Sequence, residues 1–246
     1  MLGTLKAEFR KLVTVRTTYV FVGLAILFVL FYAGFIEGYH LSGHDLLNRN
    51  LFNEDVVGAL TSLPMVFGAI VAILLMTHEY RHNTIMYTLT ASNSRTKVLA
   101  SKFITVAVFA LLLTAVVGVL APLASYVGVH LHGHTLAPQL VQYHSLVWRA
   151  LFEGWAYLMI ALLLGVLIRN QIGAIVSLFV IPTLEQVLGL LLKEKTVYLP
   201  FNALNAILSK PERGTLSYGH AALITGAYLL GGWLIAWYLF VRRDAN

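Results

Sequence analysis

Apolar runs long enough to cross a membrane recur along this chain, at Thr18–Ile36, Val56–Thr77, Phe103–Val129, Leu146–Ile168, Ile172–Leu192 and His220–Val241, with polar connectors between them. A helix needs about 20 apolar residues to traverse the hydrocarbon layer, so the pattern predicts six spans. In lipid the backbone of each span has to satisfy its own hydrogen bonds. The expected fold is therefore all-α: a polytopic membrane protein forming a single domain over residues 1–246. Ahead of the first run, residues 2–15 place Leu2, Leu5, Phe9, Leu12 and Val13 at helical spacing, with Lys6, Glu8, Arg10 and Lys11 on the remaining faces. That is the pattern of an amphipathic helix lying in a membrane interface.

The connectors differ in kind. Glu37 to Asp55 carries the turn formers Gly38, Gly43, Asn48 and Asn50 and, like His130 to Gln142, reads as loop. Residues 193–219 are richer. There Tyr198, Leu199, Pro200, Phe201, Leu204, Ile207 and Leu208 precede Lys210 and Pro211, which predicts a short outer helix between spans five and six. Residues 78–97 run from His78-Glu79-Tyr80-Arg81-His82-Asn83-Thr84-Ile85 to Ser92-Asn93-Ser94-Arg95-Thr96-Lys97. Ser and Asn are good helix caps, so a short helix, a polar turn and a fresh helix start are implied.

Charge adds orientation to this picture. Taking the N-terminus, the second connector, the fourth connector and the C-terminus as one side collects Lys6, Arg10, Lys11, Arg16, Arg81, Arg95, Lys97, Lys102, Arg169, Arg242 and Arg243, which is 11 of the 17 basic residues. The remaining six are offset by Glu37, Asp45, Glu54, Asp55, Glu194 and Glu212. The basic side is expected to be cytoplasmic, which predicts a multi-pass protein of the cytoplasmic membrane with both termini inside. A pI near 9.5 then reflects this bias, and no nucleic-acid partner is expected. The first run is longer than a signal-peptide core and lacks a small-residue cleavage site after it, so it is expected to be retained. With 59% hydrophobic and 11% charged residues and a mean hydropathy of +0.78, little is left over for a soluble catalytic domain. The absence of cysteine removes disulfide and thiolate chemistry without indicating a compartment.

Few residues offer chemistry. His78-Glu79-Tyr80-Arg81-His82 matches H-E-x-x-H, in which two His one helical turn apart hold zinc and the Glu polarises its water; an intramembrane zinc metalloprotease is the alternative function this motif raises. A catalytic zinc also needs a third protein ligand, and Glu8 and Asp244 are the other acids on that side. The bland alternative, a helix end meeting another protein, is preferred. Seven of the nine His fall on the outer side, His40, His44, His130, His132, His134, His144 and His220, of which His130, His132 and His134 form a candidate for outer copper or zinc binding. Glu153 follows Arg149 by one turn, which predicts an i,i+4 ion pair reaching to the interface. Glu185 follows Pro182, whose ring frees a carbonyl and bends the helix, and precedes Gln186. These three are candidates to line a path through the membrane, and Glu185 alternatively makes a buried structural hydrogen bond. Pro64 and Pro122 predict comparable bends in spans two and three.

The arrangement resembles the permease subunit of the type-2 ABC exporter family. The likeness lies in the surface helix before six spans, the Glu79 that closes the second span, the polar Glu79–Ile85 segment, the Ser94-Arg95 pair, Lys102, and Tyr198-Leu199-Pro200 through Leu204. It covers essentially the whole chain; His78 and His82 are not part of the family pattern. The resemblance implies that residues 78–97 form a cytoplasmic coupling segment seated in a groove of a separate ATPase chain, with Glu79, Tyr80, Arg81, Thr84, Ser94, Arg95 and Lys97 as its contacts. It also implies two ABC ATPase subunits per complex and a second permease subunit, identical or homologous, embedded among membrane lipids. Since this chain has no G-x-x-x-x-G-K-[ST] loop, it is expected to bind no cofactor itself, with ATP and Mg²⁺ held by the partner. It is expected not to be an enzyme on its own.

Overall fold

The structure is a computed structural model that describes residues 2–40, 63–92, 94–131, 143–209 and 216–242. Every regular element among them is helical. α1 is Leu2–Thr14, and α2 is Arg16–Val29, continued by a π-wound segment over Leu30–His40. α3 is Leu63–Arg81, α4 the short Ile85–Ser92, and α5 Arg95–Leu131. α6 is Tyr143–Ile168 and α7 Gln171–Leu192, followed by a 3₁₀ segment Lys193–Tyr198 and the short α8, Pro200–Asn205. α9, Tyr218–Arg242, closes the described chain. Among the described residues six helices are long and apolar enough to cross a membrane, as the spacing of the apolar runs predicts. The first residues of the second expected span, Val56 to Ser62, lie outside the described residues.

α3 and α6 form the centre, each with 56% of its apolar stretch buried, against 17% for α2 with its continuation, 11% for α7 and 22% for α9. Ala69, Ala72, Ile73 and Met76 of α3 share one core with Met159, Leu162 and Val166 of α6. Lipid tails are as apolar as leucine, so close approach of small residues holds helices together. Gly154 of α6 lies so near α5 that a Cβ there would sit 2.6 Å from the Thr114 hydroxyl. Phe103 of α5 meets Trp233 of α9 edge-on, with ring centroids 4.1 Å apart. α5, with 37 residues, measures about 55 Å at 1.5 Å per residue. It therefore exceeds the ~30 Å hydrocarbon thickness. Pro122 and Pro182 are accommodated inside continuous helices, and Pro64 sits in the first described turn of α3.

Candidate functional site

One end of the bundle gathers the basic residues and is tied together by side chains from distant parts of the chain. Arg81 at the end of α3 donates to Gln171 Oε1 at the start of α7, 3.3 Å away. The Arg169 guanidinium lies over the Tyr80 ring at 5.3 Å, and Arg95 donates to the Val241 carbonyl at 3.2 Å. Asn83 and Arg169 take left-handed φ values of 52° and 55°; each reverses the chain between two helices. Ser94 caps α5, its Oγ accepting from Lys97 N–H at 3.4 Å. Asn93 lies outside the described residues.

At the centre of this end is a buried ionic cluster. Lys102, fully enclosed on the first turns of α5, donates to Glu8 Oε2 at 2.9 Å and to the Leu75 carbonyl at 3.1 Å, and pairs with Glu79 Oε1 at 3.0 Å. Three acceptors match the three N–H groups of an ammonium. Lys11 bridges the same two carboxylates, at 2.7 Å from Glu8 Oε1 and in a short contact with Glu79 Oε1. Two acids and two bases cancel, which is how charge tolerates burial. Burial opposes the charge on Lys11, but hydrogen bonds and attraction from Glu79 and Glu8 outweigh it and hold its pKa above the ordinary lysine value.

The cluster alters two readings of the sequence. Glu8, expected on a solvated face of α1, is 0% exposed, and it pins α1 to α5 through Lys102, while Lys11 ties α1 to Glu79 of α3. Glu79, expected against a partner, is only 5% exposed and spends Oε1 inside the fold. Lys11 is within one turn of Glu8, but local pattern gave no sign of the pairs Glu8–Lys102 and Lys11–Glu79, which lie 94 and 68 residues apart. The same contacts disarm the H-E-x-x-H reading. His78 and His82 are exposed neighbours, rings 4.3 Å apart, while Glu79 is held by two lysines and is not poised over a metal-bound water. No group of three His, Cys, Asp or Glu side chains able to hold a metal occurs among the described residues.

Of the other expected coupling contacts, Arg81, Thr84 and Lys97 are exposed, and Tyr80, Ser94 and Arg95 half-buried. Sequence reading missed the two most prominent side chains of this surface. Met86 and Tyr87 on α4 are 50% and 75% exposed. An aromatic and a thioether standing free on a short helix between two spans suit protein contact, and their apolar character in a polar connector was the available signal.

At the other end, Glu185 takes the structural alternative. Its Oε1 accepts from Phe201 N–H at 3.0 Å and its Oε2 from Asn202 N–H at 2.9 Å. The carboxylate thereby caps α8, whose own N-cap, Leu199, has no side-chain acceptor. Negative charge there also answers the helix dipole. Glu185 and Gln186 nonetheless border a cavity of about 480 Å³ whose walls mix Asn202, Asn205 and Ser209 with Val197, Ala206 and Leu216; Pro182 is not among its walls. The expected Arg149–Glu153 pair does not form. Arg149 lies 3.4 Å from the Tyr218 ring centroid, and Glu153 Oε2 is buried without a partner. The quadrupole of a ring at the start of α9 competes well with a carboxylate that would have to leave its packed position. His130 is exposed and stacks on Tyr126, whereas His132 and His134 lie outside the described residues.

A family model described as ABC-2 family transporter protein matches residues 4–185, a stretch that contains the whole ionic cluster, α4 and Glu185. No curated protein matches the chain.

Proposed function

We propose, because this chain belongs to the ABC-2 transporter family, that this membrane permease component works as one half of an ATP-driven exporter, with α4 as the helix through which a separate ATPase moves it. The observation that carries this reading is the exposed Met86–Tyr87 face of α4, set between two spans and beside exposed Arg81 and Thr84. A short helix joined to a span on either side by only a few residues is a suitable receiver of a domain displacement. The buried cluster gives that displacement a route: Glu79 adjoins α4, and Lys102 and Lys11 carry its movement to α5 and α1.

In this reading the basic end is cytoplasmic, α1 lies in the inner leaflet interface, and two copies or two homologues enclose the path. Two ATPase chains hold ATP and Mg²⁺ between them. Nucleotide binding draws them together, pushes α4, and exchanges inward for outward access. The weakly buried faces of α2, α7 and α9 supply surface for the second permease and for lipid. Residues 193–219 and the Glu185-capped α8 then face outward. A lipophilic cargo is the default for such a path.

The test is co-purification with the cognate ATPase and ATP turnover in proteoliposomes. Met86→Asp and Arg81→Glu should leave membrane insertion intact while weakening association or uncoupling hydrolysis from transport, because a charge at a contact centre is costly. Wild-type association and turnover in both variants would refute the assignment.

A further inference from the structure

Beside the ionic cluster is a cavity of about 400 Å³ walled by α1, the start of α2, the last turns of α3, and α4. Its chemistry is divided. Leu12, Val71 and Leu74 give it an apolar floor, and Lys11, Glu79 and Thr18 a polar wall. Glu79 Oε1 is fully engaged, by Lys11, Lys102 and Thr88, but Oε2 is buried with no hydrogen-bond partner among the described residues. An unpaired carboxylate oxygen calls for a donor. On the opposite side are features that call for an acceptor. Lys11 spends two donors on Glu8 and Glu79 out of the three an ammonium has. α2 begins at this wall, and its N-cap, Val15, supplies no side-chain acceptor to the first N–H groups, which carry the positive end of the helix dipole.

A free anion placed here would meet Glu79, and a plain hydrocarbon would leave Oε2 unpaired. A cation alone would leave Lys11 and the head of α2 unanswered. A zwitterion with a protonated primary amine, a phosphodiester and an attached acyl chain answers all three features. α1, with Lys6 and Arg10 exposed beside half-buried Leu5 and Phe9, sets the cavity at the depth of lipid headgroups.

We propose that this cavity is a binding site for an aminophospholipid of the phosphatidylethanolamine type. The ammonium sits toward Glu79, the phosphodiester toward Lys11 and the start of α2, and an acyl chain over Leu12, Val71 and Leu74. The bound lipid joins four elements at the end of the bundle where α4 lies, and so stabilises the arrangement by mass action. A quaternary ammonium has no N–H to donate, so the site distinguishes phosphatidylethanolamine from phosphatidylcholine.

The test uses the full chain, delipidated in detergent and titrated with dioleoyl phosphatidylethanolamine, phosphatidylcholine or phosphatidylglycerol, with binding followed by thermal shift and native mass spectrometry. Loss of a charge-assisted hydrogen bond predicts roughly 10- to 100-fold weaker binding of the other two lipids. Filling the cavity by Thr18→Trp should abolish the preference. Equal affinity for all three lipids overturns the proposal, and because that comparison needs only the wild-type chain, it decides even if the variant misfolds. An unchanged preference in a folded Thr18→Trp chain overturns it as well. A full response to water-soluble glycerophosphoethanolamine, which has no acyl chains, overturns the lipid assignment.

Discussion

Replacing Lys102 by Met keeps the length of the side chain and deletes its charge. In the folded protein this strips a donor from Glu8 Oε2, Glu79 Oε1 and the Leu75 carbonyl at once. Lys11 remains, but it is 38% exposed at its side chain and is left to neutralise two buried carboxylates alone. Removing one partner of an enclosed ion pair costs about 3–5 kcal/mol. In a chain of this size each kcal/mol moves Tm by about 2–4 °C, so the expected fall is roughly 6–20 °C. Fluorescence-detected size exclusion after a temperature series in detergent reads this directly. Pairing the change with Glu8→Gln makes a stricter test: once Lys102 is gone, neutralising Glu8 removes a repulsion, so the double variant should be more stable than the sum of the singles by about 0.5–3 kcal/mol. A Tm within about 2 °C of wild type for Lys102→Met, or strict additivity in the cycle, would show that the cluster does not hold α1, α3 and α5 together.

Three further outcomes follow from the same geometry. Glu185→Gln should weaken the cap on α8 by about 1.5–3 kcal/mol, since charge-assisted bonds to two backbone N–H groups become neutral ones or are lost; hydrogen exchange should rise over residues 196–209, and unchanged exchange there would contradict the capping role. Gly154→Ala forces a Cβ against the stiff Thr114 side chain and should lower Tm or yield by more than Gly3→Ala, which meets nothing; equal behaviour would count against the close α5–α6 approach. Cysteine at exposed Ser217 should label with an impermeant maleimide applied outside intact cells, and cysteine at exposed Lys97 should not; the reverse pattern would invert the proposed orientation.

Much of the fold was legible because its signal is local. Lipid-length apolar runs and the Lys and Arg between them require no knowledge of what packs on what. The capping serine was equally local, and Ser94 does cap α5. What sequence could not supply was partner choice. Spacing favours Arg149 with Glu153, yet Arg149 goes to Tyr218 on another helix. Glu8 reads as one more polar position on an amphipathic helix until a lysine 94 residues onward reaches it. Glu79 and Lys102 both stood out through the family resemblance, but nothing in a one-dimensional pattern says that they touch. Glu185 was recognised as too costly to be idle; its use as a cap depended on a helix that begins 15 residues later at Pro200.

The separation between Glu8 and Lys102 also orders events during synthesis. The chain emerges from its N-terminus, so α1 exists long before the residue that neutralises its carboxylate. Until α3 and α5 have entered the bilayer, Glu8 has no buried partner and every reason to stay in water; until α1 comes back, Lys102 and Glu79 lack part of their balance. The closing of so long a loop is entropically slow compared with forming each helix. The ionic cluster is therefore a late latch, set only when the first half of the bundle is complete. A chain that stalls or mispacks before that point carries an open, charged notch at one end, distinguishable from the finished protein by any factor that recognises misplaced charge at a membrane surface.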